Sequence, residues 1–471
     1  MWTSVLKLEW RILKRDRAAL TILGIFALFL VGAAIAGGHQ ASLLAESQTR
    51  AHQSEDQRIA GLTTRLAALQ TKGDARRSKD PRDPVWMGRE GAIHLAVLPP
   101  APLASIAVGQ RDLHPQIVQV STEVELAAER ETETPMSGPT RLSTGAFDPA
   151  FLFVVLFPLV IIALSYELLS GERERGTLAM LLAQPVSQGA LVLGKAAARA
   201  IALCSVTLLF AIIGLVVAGA DLSGMTAWIQ VLLYALVLIS WALFWFALAV
   251  WINARGQTSA GNALALVGVW LVLVVVVPGL VHIAVDTIYP PPSKLELMHE
   301  AREAAQEVDQ ALSGLKGRHD VDTQTKTYAK KLVKAQDALL ERAEPLMHEL
   351  EETLRQRQGM VDWLRFLSPA IVVQLALEDV AGSGAARHQR FDTQLDAFHP
   401  TFRSFYFERI KTGADLTVAD LEARPKMTFA EEPVAHLSQR IFWGILALLM
   451  LVFVLIASAW PRLKRIGRLS A

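Results

Sequence analysis

Two stretches of this sequence place chemically useful residues at recognisable spacings. Residues 189–196, GALVLGKA, fit G-x-x-x-x-G-K, the loop whose backbone N–H groups and lysine cradle phosphate. Ala196 stands where that loop needs Ser or Thr to hold magnesium, no strand precedes it, and an apolar stretch follows. It reads instead as a helix running into a bilayer with Lys195 at the interface, so the chain is not expected to bind ATP itself. The second stretch is Glu172-Arg173-Glu174-Arg175, then Gly176-Thr177-Leu178, the apolar Met180, Leu181 and Leu182, and Pro185. Thr177 suits a helix N-cap and Pro185 would stop the helix one or two turns later. The result is a short helix along the membrane surface with a charged lead. It is either the contact through which a soluble partner delivers mechanical work or a solvated interfacial loop.

Catalytic constellations are missing. His299-Glu300 and Met347-His348-Glu349 lack the second histidine of a zinc-type helix. Ser105 and Ser368-Pro369 have no nucleophile context. One cysteine, Cys204, permits neither an intrachain disulfide nor a cysteine metal site. A net charge of +1 points to no nucleic-acid partner.

The elements that hold these stretches are membrane spans. The chain has 471 residues, 52% hydrophobic and 19% charged, and its apolar residues are clustered. Charge-free windows run over 18–45, 149–166, 200–220, 222–254, 256–285 and 441–461. Each approaches or exceeds the ~20 helical residues needed to cross about 30 Å of hydrocarbon. A further uncharged window, 91–110, carries Pro99, Pro100 and Pro102 and is rejected as a span. The run 366–377 is too short to cross and reads as a buried or interfacial helix.

The expected fold is an all-α integral membrane protein with six transmembrane helices and a mostly helical extracytoplasmic domain built from two inserts. Residues 1–17 form a basic amphipathic entry helix, favoured over a signal peptide because five more spans follow. The spans are 18–37, 149–166, 200–220, 226–252, 262–285 and 441–460. The inserts are 38–148 and 287–438, the cytoplasmic coupling segment is 167–199, and a basic tail fills 461–471. Lys and Arg flank the termini, 167–199 and the connection at Arg255, which puts both termini in the cytoplasm. In the first insert Ile59, Leu62, Leu66 and Leu69 recur at helical spacing. In the second, helical faces are marked by Leu295 to Leu315, by Leu332 to Leu354 with a kink at Pro345, and by Phe391, Leu395, Phe398, Phe402 and Phe405.

Within the spans, Gln230, Ser240, Asn253, Asn262 and His282 are candidates for a substrate path, against the simpler reading of interhelical hydrogen bonds. Trp241, Phe244, Trp245 and Phe246 read as packing or lipid contact.

From Ser170 to Lys195 the sequence S-G-E-R-E-R-G-T-L-x-x-L-L-A-Q-P-V-S-x-x-x-L-x-x-G-K resembles the signature of type-2 ABC exporter permeases, and it sits between the second and third spans as it does there. The two large inserts, with APLASIAVGQRDLHP (101–115) and LSPAIVVQLALEDVAGSG (367–384), are similar to a subfamily whose extracytoplasmic part has no assigned function. Tyr166-Glu167 departs from the small residue and Asp that many relatives carry. The resemblance implies a permease dimer, of two copies or of this chain with a homologous permease, above two ABC ATPase subunits. ATP and Mg would bind those partners and no cofactor this chain. Glu172, Arg173, Glu174, Arg175, Gly176, Thr177, Leu178, Leu181 and Pro185 would form the ATPase-coupling contact. The setting it implies is the bilayer of a bacterial cytoplasmic (inner) membrane, with export as the task. Two other readings stay open: a mechanotransmission or scaffold subunit acting on an envelope partner, and an ATP-independent carrier or sensor.

Overall fold

The computed structural model describes residues 2–72, 79–112, 114–122, 147–177, 188–290 and 352–466, with single positions between 303 and 349. Among the described residues six helices are long and apolar enough to cross a membrane. The protein is an all-α multi-pass membrane protein, and its one described sheet is small. The helical faces expected over 295–315 and most of that over 332–354 lie outside the described residues.

Helix α1 (Trp2–Leu13) lies on the side of the membrane that carries the 170–177 signature, here the signature side. Asp16 then caps the next helix, α2 (Arg17–Lys72), accepting the N–H groups of Ala18 at 3.0 Å and Ala19 at 3.2 Å. At ~1.5 Å per residue its 56 residues reach about 84 Å, so span 1 and the first helix of the first insert are one rod. The pair Gly37-Gly38 does not break it. A side chain on Gly37 would overlap the Ser105 carbonyl oxygen, and one on Gly38 would lie 2.7 Å from the Ala218 methyl group, so both glycines let neighbouring backbone come close.

Span 2 begins at Pro149–Phe151, capped by Asp148, passes a π-turn at Leu152–Leu156 and ends in Phe157–Ser165. Span 3 is Gln188–Val217, span 4 Met225–Asn253, span 5 Ser259–Ile288 with a π-turn at Leu271–Val276, and span 6 Val434–Ile466. Span 4 is central, packed on spans 2, 3, 5 and 6. Trp241, Phe244, Trp245 and Phe246 are all buried on it, and Trp241 donates its indole N–H to the Phe153 carbonyl at 2.8 Å. Those aromatics are bundle packing. Spans 5 and 6 lie at the margin, with little of their apolar surface covered.

Beyond the bundle, on the insert side, a second core joins Ile59 and Leu62 of α2 to Phe391, Leu395 and Phe402 of a helix at Ala385–Thr412. Strands β1 (His94–Val97) and β2 (Ile117–Val120) cover it as an antiparallel pair with His94 opposite Val120. A buried polar cluster ties the three parts together. Glu55 of α2 accepts the Leu95 N–H at 2.9 Å, meets His94 Nδ1 at 2.9 Å and lies 3.4 Å from Arg424. His94 Nε2 accepts the Met427 N–H at 3.0 Å, which leaves its proton on Nδ1, facing Glu55.

Candidate functional site

The signature is built by a sharp stop. After span 2 the chain turns and forms a short helix, Ser170–Glu174. Gly176, at φ +70°, ends it, with its N–H on the Arg173 carbonyl at 3.1 Å and the Thr177 N–H on the Glu172 carbonyl at 3.0 Å. This paired closure needs a left-handed residue, which glycine adopts without a Cβ penalty. Leu178, Leu181 and Pro185 lie outside the described residues.

The charged side chains of 172–174 reach back to the protein's own elements. Glu172 Oε1 accepts Lys195 Nζ of span 3 at 2.6 Å, and its other oxygen accepts the Thr177 hydroxyl. Lys195 also lies 3.7 Å from Glu9 of α1, and the side chains of Lys195 and Glu9 are only 7% and 6% exposed. The lysine of the apparent phosphate loop is therefore enclosed by two carboxylates. Arg173 donates to the Gly256 carbonyl at 2.6 Å. Glu174 accepts the Ser259 N–H at 2.7 Å and its hydroxyl at 2.9 Å. Ser259 is the first residue of span 5, so Glu174 places a carboxylate at that helix's positive end. Arg175 is exposed and pairs with Glu167 at 3.3 Å, which gives the departure at Tyr166-Glu167 a local partner.

Beneath this layer lies an amide hub. Asn253 Oδ1 accepts the Leu169 N–H at 3.2 Å, and its Nδ2 donates to the carbonyls of Ser165 at 3.2 Å and Ala249 at 2.9 Å. Asn262 Nδ2 lies within 3.2 Å of the Tyr166 carbonyl and the Ser170 hydroxyl, and 3.1 Å from Asn253 Oδ1. Segment 165–177 is thus fastened to span 3, through Lys195 to α1, and to the turn between spans 4 and 5. Sequence reasoning missed Glu9 and Ser259. Their only signals were an acid within a basic amphipathic helix and a serine at a span start. It placed Lys195 at an interface without its partners.

The candidate path residues are dispersed. Ser240 donates to the Leu236 carbonyl of its own helix at 2.7 Å, and Asn262 is fully buried in the amide hub. His282 points outward beside Asp286 at 3.3 Å. Gln230 is buried with its Oε1 unpartnered. Among the described residues no three His, Cys, Asp or Glu side chains converge as a metal site.

Six apolar spans among the described residues, with a fastened signature between the second and third, make a multi-pass membrane protein. The sequence profile of the ABC-2 family of transporter proteins matches residues 3–459, and the chain belongs to that family. It is also similar to a probable ABC transporter permease protein, NosY, of Stutzerimonas stutzeri. The two are 33% identical over 133 residues, 27% of this chain and 47% of that protein. The chain thus aligns with less than half of that relative's length.

Proposed function

We propose that this chain is the membrane permease subunit of an ATP-driven exporter in a bacterial cytoplasmic membrane, with both termini cytoplasmic. Separate ABC ATPase subunits bind ATP and Mg and dock on the segment around 172–185, and the permease works with a second copy or a homologous permease. One observation carries this reading. Glu172, Arg173 and Glu174 fasten the signature at once to Lys195, to Gly256 and to Ser259, and Lys195 in turn lies 3.7 Å from Glu9, so a displacement there is delivered to spans 3 and 5 and, through Lys195, to the entry helix. Coupling requires a contact that differs between two states, and a segment tied to several helices biases all of them together. Gln230, with its unpartnered buried amide oxygen, is the first residue to substitute in a search for the transport path.

The test is the double substitution Glu172→Arg with Glu174→Arg in a reconstituted complex with the ATPase. Transport-coupled ATP turnover should fall while the permease still elutes as a folded complex. Unchanged turnover would overturn the coupling role.

A second reading draws on the uninterrupted α2. It begins beside α1, whose Glu9 belongs to the signature cluster, and ends in the insert-side core. Such a rod suits a mechanotransmission subunit that moves the extracytoplasmic domain against an envelope partner. Transport of a substrate by the purified complex in liposomes, with no envelope partner present, would eliminate it.

A further inference from the structure

Helix Pro369–Ala381 seats the second insert on the bundle. Its cap, Ser368, donates its hydroxyl to the Leu273 carbonyl of span 5 at 2.6 Å. Its length packs on spans 4 and 6 and on the first turns of span 2. The fit is close, because a side chain on Gly444 of span 6 would lie 3.0 Å from Val372 Cγ1.

One residue in this seat lacks what a buried charge requires. Glu378 is only 8% exposed. Gln374, one turn earlier, donates its Nε2 to Glu378 Oε1 at 2.7 Å. Among the described residues no cationic side chain forms an ion pair with this carboxyl. The arginines of the surrounding elements are committed elsewhere. Arg440 of span 6 is shared by Asp379 at 3.4 Å and Glu432 at 2.6 Å, and Glu432 also lies 3.7 Å from His436. Arg387 pairs with Glu431 and donates to the Pro99 carbonyl at 2.8 Å. Arg111 donates to the carbonyls of Ala104 at 2.7 Å and Ala107 at 2.9 Å, and Arg365 pairs with Asp362 at 3.5 Å. On the following helix, burial pushes the pKa of His388 down to about 3, so its imidazole is neutral. On span 4 the phenol of Tyr234 supplies no cation, and the π-turn of span 5 carries no ionisable side chain.

The charges that do reach Glu378 are negative. One is Asp379, beside it in the chain. The other is Asp148, the cap of span 2, which accepts the Val108 N–H at 2.9 Å and the Phe151 N–H at 2.8 Å. Glu378 also stands in the last turn of its helix, where the dipole disfavours an anion. Burial first, then Asp379 and Asp148, push its carboxyl up to about 7, against the hydrogen bond from Gln374.

We infer that Glu378 is a proton-binding group that keeps the second insert seated on the bundle. As the neutral acid it stays buried with Gln374. Once ionised it is a buried anion without a cation, which is costly, so losing the proton drives it toward water and loosens helix Pro369–Ala381. The switch reads acidity on the insert side, because the neighbouring Asp379, Arg440 and Glu432 lie at that end of span 6.

Glu378→Gln tests this, because an amide reproduces the neutral acid and cannot ionise. The carboxyl ionises near 4.5 in the unfolded chain and near 7 in the folded one, so its contribution is present below 4.5 and lost as pH rises toward about 7. The melting temperature of the wild type in detergent should fall across that interval and then level off. Glu378→Gln should fall less and should exceed the wild type from about pH 7 upward. Asp148 and Asp379 are also raised by burial, so the readout is the difference between the two proteins. Parallel curves would overturn the inference. A variant less stable than the wild type at alkaline pH would mean a carboxylate that is ionised and paired, and would overturn it equally. Amide hydrogen exchange reads the loosening itself. Divided by the rate in Glu378→Gln at the same pH, the wild-type rate over 376–381 should rise several-fold from about pH 5 to about pH 8. A constant ratio would show that the proton leaves without unseating the helix, and the switch would be rejected.

Discussion

The two polar clusters along the α2 rod are built on opposite plans. At the insert end, Glu55, His94 and Arg424 are all about 5–6% exposed, and every partner comes from a distant segment. At the signature end only Glu9 and Lys195 are so enclosed, while Glu172 is 22% exposed and Arg175 is 66% exposed. A buried ion pair is costly to open because its charges find no water on the way. A pair at the membrane surface exchanges a protein partner for water or for another protein at little cost. The insert end is therefore a rigid joint and the signature end a joint that can be remade. That division suits a subunit driven from the signature side.

The sharpest way to break the comparison is Glu55→Leu. It leaves the buried Arg424 guanidinium without its carboxylate and the Leu95 N–H without an acceptor. Loss of one member of such a cluster costs about 3–5 kcal/mol. The apparent melting temperature in detergent should fall accordingly, while ATPase-subunit binding should persist. An unchanged melting curve would show that the insert end is no rigid joint. The same carboxylate gives a pH signature. Burial alone would raise its pKa, but the His94 hydrogen bond, the Leu95 N–H and Arg424 outweigh burial and hold it at about 2. A carboxylate depressed on folding stabilises above its ordinary value of 4.5, and that stability is lost as pH falls from there toward about 2. Acid titration should therefore destabilise the wild type more steeply than Glu55→Leu in that window.

Next in size is Lys195→Met. Glu172 retains water and Thr177, but Glu9 is left as a buried carboxylate without its lysine. A loss of about 3 kcal/mol is expected, at the lower end for a broken buried pair. The double variant Glu9→Gln with Lys195→Met should recover part of it, and strict additivity would mean that the 3.7 Å pair carries no coupling.

These joints were unevenly legible in the sequence. The spans could be found because charge is expensive in hydrocarbon, and the signature because its motif is long. The partners could not. Glu9 and Lys195 are 186 residues apart, and only the packing of α1 on span 3 brings them together. Asn253 and Asn262 stood out as polar residues in apolar spans, yet nothing local distinguishes an amide fastening two turns from one facing a path. Strands β1 and β2 are four residues each, too short for an alternating pattern to rise above the prolines nearby. The length of the run 366–377 marks it as buried or interfacial, but its seat depends on the Ser368 contact with the Leu273 carbonyl of span 5, 95 residues away.

The smallest effect, and the cleanest test of the remakeable joint, is Gly176→Ala. No atom lies within 4 Å of where its Cβ would sit, so the change adds no clash and acts through the backbone alone. At φ +70° an alanine costs roughly 1–2 kcal/mol. The closure that presents Thr177 to Glu172 should loosen, and with it the hold of Glu172 on Lys195. Amide hydrogen exchange should quicken at Gly176 and Thr177, and protection at Leu95 on the insert side should be unaltered. Equal quickening at both ends would mean that the two clusters share one cooperative unit, and that α2 transmits loosening as readily as it would transmit work.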